Sequence, residues 1–185
     1  LGAERGSAYP VLTAKAIAEE YIRKSGLEYT IIRSGIIFGP GDGFTTGIAR
    51  LMKRIPLLFF LPDQGDTLLQ PLWIEDLAAA LTWSMDDAST FQRTYEIGGP
   101  ELLSFREIVT AVRDRLKLNR QLVSLPSPLL RFITVFQEYL FRQSPTTVYW
   151  LDYLAANRTT SLNTLPHQFN LLPSRLKNRL DYLVD

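Results

Sequence analysis

Residues 8–43, AYPVLTAKAIAEEYIRKSGLEYTIIRSGIIFGPGDG, constrain the fold of this chain more than any other stretch, because they read in order as a helix, a short buried strand and a glycine-proline loop. Pro10 suits the first turn of a helix, where its missing N–H needs no partner and its φ is already helical. Leu12, Ile17, Ala18, Tyr21 and Ile22 keep an apolar stripe at helical spacing, and Glu19, Glu20, Arg23 and Lys24 fall largely outside it. Ser25-Gly26 ends the helix, since glycine enters the left-handed region without steric cost. Tyr29, Thr30, Ile31 and Ile32 then form a β-branched and aromatic run too short for a helix, followed by Gly35, Gly39, Gly41 and Gly43 around Pro40. In open parallel sheets ligands settle at the carboxyl ends of strands, where backbone N–H groups are free. The predicted site therefore lies at residues 35–41, beside the helix that carries Lys15.

Lys15-Ala16-Ile17-Ala18-Glu19, followed by Tyr29-Thr30-Ile31-Ile32-Arg33-Ser34-Gly35-Ile36-Ile37-Phe38-Gly39-Pro40-Gly41-Asp42, resembles the second half of the extended and atypical short-chain dehydrogenase/reductases. Gln70-Pro71-Leu72-Trp73-Ile74-Glu75-Asp76-Leu77-Ala78 and Tyr95-Glu96-Ile97-Gly98-Gly99-Pro100 resemble two later blocks of that superfamily, in the same order, so the resemblance covers essentially the whole chain. Residues 153–160, YLAANRTT, and 169–173, FNLLP, are similar to the epimerase/dehydratase-like atypical branch that includes the accessory nucleotide-binding subunit of respiratory complex I. The resemblance implies an α/β fold: the C-terminal part of a Rossmann-like doubly wound parallel sheet over residues 1–125, with a small, mainly helical lobe over residues 126–185. It also implies that the N-terminal half of the sheet lies outside these residues. Leu1-Gly2-Ala3 resembles the turn after the family's fifth strand, and the strand and glycine-rich turn that cradle a dinucleotide pyrophosphate have no counterpart in residues 1–185. The expected partners are that first half, a dinucleotide and a small-molecule substrate.

The same resemblance implies NAD or NADP as cofactor, with Lys15 hydrogen-bonded to the ribose beside the nicotinamide and Ser34, Gly35 and Ile37 lining the nicotinamide side mainly through backbone groups. The family's dehydrogenases carry a tyrosine four residues before the lysine, so that both project from one helical face and the cation lowers the phenol pKa. Here position 11 is valine. Tyr9, six residues before Lys15 at the helix entrance, is the remaining catalytic candidate, set against a packing role. Without a ligand, Lys15 reads as a solvated cation and residues 34–37 as a strand-terminal turn. Three function classes stay open: redox or epimerase-type chemistry on a small apolar substrate; a non-catalytic accessory or assembly protein that keeps the nucleotide as a structural element, which Val11 favours; and a membrane-peripheral or quinone-associated module.

Composition narrows the rest. With 20 basic and 19 acidic residues the net charge is +1, which leaves no broad basic field for a nucleic acid. The chain has no cysteine and one histidine, His167, read as a surface residue, so disulfides, thiolate nucleophiles and histidine or cysteine metal clusters are not expected. No apolar run approaches the ~20 residues that cross a bilayer, and a cytoplasmic location is the expectation.

Further along, residues 44–54 read as a helix and residues 55–62, IPLLFFLP, as an apolar stretch that either packs over the sheet or walls an apolar pocket. Residues 74–86 read as a helix whose Glu75 and Asp76 favour its positive end rather than forming an acid/base pair. Residues 94–97 read as a strand, and Ser104 to Glu107 as a capping box opening a helix to about Leu116. Residues 128–142 carry an apolar face too wide for a one-sided surface helix; burial in the core is the leading expectation, ahead of a subunit, membrane or quinone contact. Residues 146–157 and 174–183 are expected to pack against it.

Overall fold

A computed structural model describes residues 1–140 and 147–184; Phe141, Arg142 and Thr146 of the expected helices lie outside the described residues. The elements run α1 Pro10–Lys24, β1 Thr30–Ser34, β2 Ile37–Phe38, α2 Thr45–Arg54, β3 Leu58–Pro62, β4 Leu68–Leu69, β5 Leu72–Trp73, α3 Ile74–Asp86, β6 Arg93–Ile97, β7 Leu103–Ser104, α4 Phe105–Arg115, β8 Gln121–Leu125, α5 Ser127–Leu140, α6 Val148–Tyr153 and α7 Thr164–Phe169. Single 3₁₀ turns follow at Leu176–Asn178 and Asp181–Leu183.

Three strand pairs are parallel, β1 with β6, β2 with β5 and β3 with β8, and β4 with β7 is antiparallel. The β1–β6 register, Thr30 opposite Arg93 through Ser34 opposite Ile97, sorts the side chains by period two. Ile32, Tyr95 and Ile97 join Leu72, Leu77 and Ala80 and, from α7, Leu165 and Phe169. Arg33 faces the other way, to Glu19 of α1. Helices α3 and α7 thus cover one face of this pair, and α1 is clipped to the other through Glu19 without closing over it.

The larger core lies around β2, β3, β4, α2 and α4, where Phe38, Met52, Leu61, Leu69, Ile108, Val109 and Val112 are fully buried. Phe38 stacks at 5.3 Å on Trp73. Helix α4 starts with the expected capping box: the Ser104 hydroxyl accepts from the Glu107 N–H, and the Glu107 carboxylate accepts from the Ser104 N–H at 2.8 Å. The expected helix at residues 74–86 forms with those bounds, and Glu75 and Asp76 in its first turn accept hydrogen bonds from Trp73 and from the Ser174 N–H.

Four sequence expectations change in the fold. Residues 58–62 form a strand and meet both alternatives, because Phe59 and Leu61 enter the core while Leu58, Phe60 and Pro62 wall an apolar cavity of about 220 Å³. Helix α5 is not a core helix: Phe132, Val135, Phe136 and Tyr139 are exposed, and Leu130, Ile133 and Thr134 line the same cavity. Residues 174–183 pack on α2 and α4 instead of α5, sending Leu176, Leu180 and Leu183 into the larger core. Along α1, Val11, Ile17, Tyr21 and Ile22 of the apolar side are exposed while Glu19 is buried. The guanidinium groups of Arg33 and Arg23, both in contact with Glu19, compensate for burying its carboxylate.

Candidate active site

Residues 25–29 fold α1 back beside β1, so the start of the helix and the end of the strand fall at the same end of the sheet. Pro10 occupies the first helical turn, Tyr9 is the N-cap in extended conformation, and no side chain caps the helix. A cleft of about 500 Å³ runs between α1 and β1. Tyr9, Val11, Lys15, Ser34, Gly35 and Ile37 all line it, so the candidate catalytic and cofactor-binding residues share one cleft. Lys15 is exposed, as the solvated-cation reading has it, and makes no hydrogen bond or ion pair among the described residues. Tyr9 is partly buried, and its carbonyl starts the helix by accepting from Leu12 and Thr13.

The end of β1 is held tightly. The Gly35 N–H donates to Ile97 at 2.7 Å and the Ile36 carbonyl accepts from Leu72 at 2.8 Å. A Cβ at Gly35 would stand 2.4 Å from the Gln70 carbonyl oxygen, so the strand–strand approach itself demands glycine here. Because the Gly35 N–H is already engaged, its contribution to the cleft is shape rather than donation. Asp42 fastens the following loop, accepting from the Gly39 and Thr46 N–H groups at 2.9 Å and from the Tyr182 hydroxyl at 3.1 Å. Burial pushes the Tyr182 phenol well above its ordinary range, so it remains a hydrogen-bond donor.

Sequence reading missed the ionic clip behind the cleft. Arg33 donates to Glu19 through Nε and Nη2, each at 2.8 Å, and to Glu96 through Nη1 at 3.1 Å. Arg23 adds a contact to Glu19 at 2.9 Å and one to Thr94 at 3.0 Å. The Arg33 hydrogen bonds hold the Glu19 carboxyl below the usual carboxylate range against the opposing effect of burial. The signal was present: an arginine inside a run of β-branched residues needs a carboxylate on the neighbouring element.

Sequence reading also missed the far wall, built by α6 and the segment after it. Tyr149, Asp152, Tyr153 and Arg158 face the cleft. Asp152 is paired with Arg131 of α5. Burial pushes the Tyr153 phenol up to about 12. Residues 157–160 are stitched to β4 and its successor: the Arg158 N–H donates to Leu68 at 2.9 Å, Asn157 accepts from the Leu68 N–H at 2.9 Å, and Gln70 accepts from the Thr160 N–H at 2.8 Å. No local pattern announces this wall, because its residues come from a distant part of the chain. His167 is exposed, and among the described residues no three His, Cys, Asp or Glu side chains gather to hold a metal ion.

The fold is that of a nucleoside-diphosphate-sugar epimerase from Staphylococcus aureus, with a TM-score of 0.71 at 14% identity, covering 97% of this chain and 61% of that one. UDP-glucose 4-epimerase from Thermotoga maritima gives 0.62 at 14% identity, over 95% of this chain and 52% of that one. In sequence the chain is 29% identical over 187 residues, 96% of its length, to NADH dehydrogenase (ubiquinone) 1 alpha subcomplex subunit 9, mitochondrial, of Arabidopsis thaliana. The resemblance to short-chain dehydrogenase/reductases of the epimerase/dehydratase type is thus met in the fold. The protein of the same name from Dictyostelium discoideum is 26% identical over 82% of the chain. No family model matches. The chain spans about half the length of the curated relatives it matches. A further similar structure, dTDP-glucose 4,6-dehydratase from Bacillus anthracis, with a TM-score of 0.59 at 15% identity over 97% of this chain and 51% of that one, is a complex with NAD.

Proposed function

We propose that the whole protein holds NAD(H) or NADP(H) with its nicotinamide end in the α1–β1 cleft, and that it serves mainly as a nucleotide-holding accessory protein with weak hydride transfer. The observation that carries this reading is an unpaired Lys15 ammonium in the same cleft as Tyr9 and the end of β1. A ribose offers hydroxyl acceptors to such a cation, and the cleft volume falls in the usual range of about 300–1,000 Å³ for small-molecule sites. Lys15 would hold the ribose, with residues 34–37 walling the nicotinamide face. A bound nicotinamide supplies hydride donation or acceptance. Among the described residues, nothing resembles the glycine-rich turn that cradles a pyrophosphate, so binding is assigned to the whole protein.

Val11 supports the accessory role. One helical turn before Lys15, where a phenol would serve as proton donor, the side chain is aliphatic and exposed. Tyr9 precedes the helix, so it approaches from the cap instead of from the Lys15 face. The similarity to complex I subunits over nearly the whole chain favours a place in a respiratory or quinone-linked assembly. The exposed apolar stripe of α5 gives such an assembly, or a membrane surface, something to contact, although no helix among the described residues is long and apolar enough to cross a membrane.

Calorimetric titration of the full-length protein with NADH and NADPH tests the reading. Micromolar binding with slow oxidation of the bound cofactor by quinone or aldehyde acceptors is expected. Absence of binding would sink it, and brisk turnover abolished by Tyr9→Phe would replace the accessory role with a catalytic one.

A further inference from the structure

We infer that Arg158 is the anion-binding residue of the cleft, placed to take a phosphate or carboxylate group of a bound molecule. Arg158 is only 7% exposed, yet its guanidinium makes no ion pair or hydrogen bond among the described residues, and its Nε is fully buried without a partner. A guanidinium does not shed its proton, so burial cannot be relieved by neutralisation. Its one favourable contact is with the Tyr153 ring, 5.5 Å from the centroid. Cation–π attraction offsets only part of the hydration a buried guanidinium gives up.

The charges around it do not balance. Glu19 and Asp152 are the carboxylates lining the cleft, and both are engaged, Glu19 by Arg33 and Arg23 and Asp152 by Arg131. Lys15 and Arg158 line the same cleft without an anion. Lys15 is exposed and keeps water as its partner, whereas the buried Arg158 has neither water at its Nε nor a carboxylate, so the concave site favours an anionic guest there.

The position is built rather than adventitious. The backbone of residues 157–160 is tied to residues 68–70, which fixes the root of the side chain. Overhead runs Gly2, at φ +78°, where a Cβ would meet the guanidinium, so the chain there lies flat on the arginine. The guanidinium's neighbours are the Tyr153 ring and the backbone at Gly2, and neither is an anion.

This subsite deepens the proposed dinucleotide reading and rests on it for the nature of the guest, because the anion can belong to the dinucleotide or to the substrate. Full-length wild-type protein, R158Q and R158K are titrated with inorganic phosphate, alone and with saturating NADH, and each is titrated with NADH. The expected result is phosphate binding that weakens at least tenfold in R158Q and less than threefold in R158K, which keeps a cation. NADH affinity within twofold of wild type in R158Q identifies the substrate as the source of the anion. A parallel tenfold loss of NADH affinity identifies the dinucleotide. Phosphate affinity unchanged in R158Q, or no phosphate binding to the wild type, overturns the inference and leaves Arg158 as a packing cation on Tyr153. If R158Q does not fold, the phosphate-dependent rise in melting temperature of R158K against wild type decides, and an undiminished Arg Nε resonance shift on phosphate addition is required of the wild type. Phosphate binding without NADH binding would leave Arg158 in place while removing the proposed function; NADH binding with Arg158-independent phosphate affinity would do the reverse.

Discussion

The two sides of this molecule solve the burial problem differently. Around β2, β3, α2 and α4 the apolar side chains close on one another, and the last residues of the described chain, Leu176 to Leu183, fold back to complete the seal. Around α1 and β1 the closure is ionic and one-sided. β1 pairs with β6 alone among the described residues, all five of its residues are half-buried, and Tyr21 on the apolar side of α1 is 73% exposed. One side closes on itself, and the other leaves apolar residues of α1 open at its surface. On the open side the Glu19–Arg33 clip holds the helix in place without needing a filled interior.

The sharpest break of this contrast is in the closed core. Phe38→Ala removes a fully buried ring from its stack on Trp73, and a loss of about 3–5 kcal/mol is expected in urea unfolding. A loss below 1 kcal/mol would mean that the core is not the filled one described.

A smaller effect is expected at the clip. Glu19→Gln weakens charge-assisted hydrogen bonds at a buried carboxylate, for which about 1.5–3 kcal/mol is typical. The Glu19 carboxyl lies below its usual value in the folded protein, so its stabilisation is complete above about pH 4.3, the ordinary glutamate value, and disappears as pH falls through the lowered folded value. Chemical denaturation from pH 7 down to pH 2 should therefore show a shallower acid limb in the variant than in the wild type. Parallel curves would remove the clip from the account of α1.

The smallest effect, and the one that separates the two sides most cleanly, is at Ile22, an exposed residue of α1 that faces the cleft. Ile22→Ser should change the stability of the 185-residue chain by no more than about 0.5 kcal/mol. In the whole protein, covering that surface would raise the cost to about 1.5–3 kcal/mol. Equal small effects in both would show that the α1 surface stays open to solvent.

Much of the local structure was legible because it is written in short-range chemistry. Pro10 and Gly26 bracket α1, Ser104 and Glu107 open α4, and the β-branched run of residues 30–34 forms the strand it suggests. The candidate site was legible in part for the same reason: Tyr9, Lys15 and residues 34–37 lie within one helix–strand unit, whose own geometry brings them to one end. What failed was the assignment of apolar faces. The stripe of α1 and the wide apolar face of α5 both read as core, since periodicity reports that a face is apolar and not what lies against it.

The order of amino acids alone already specified the helix–strand unit at the front of the chain, the glycine-proline loop after it, and the absence of a phenol at position 11. Tertiary structure alone decided that Glu19 is buried against Arg33, that α5 turns its aromatic residues outward, and that Arg158 arrives in the cleft with no anion to meet it. The reason is range. Helix caps, turns and strand propensity act over a few residues and leave their mark in the order of amino acids, whereas charge pairing and burial depend on which distant segments the fold brings within a few ångströms of each other.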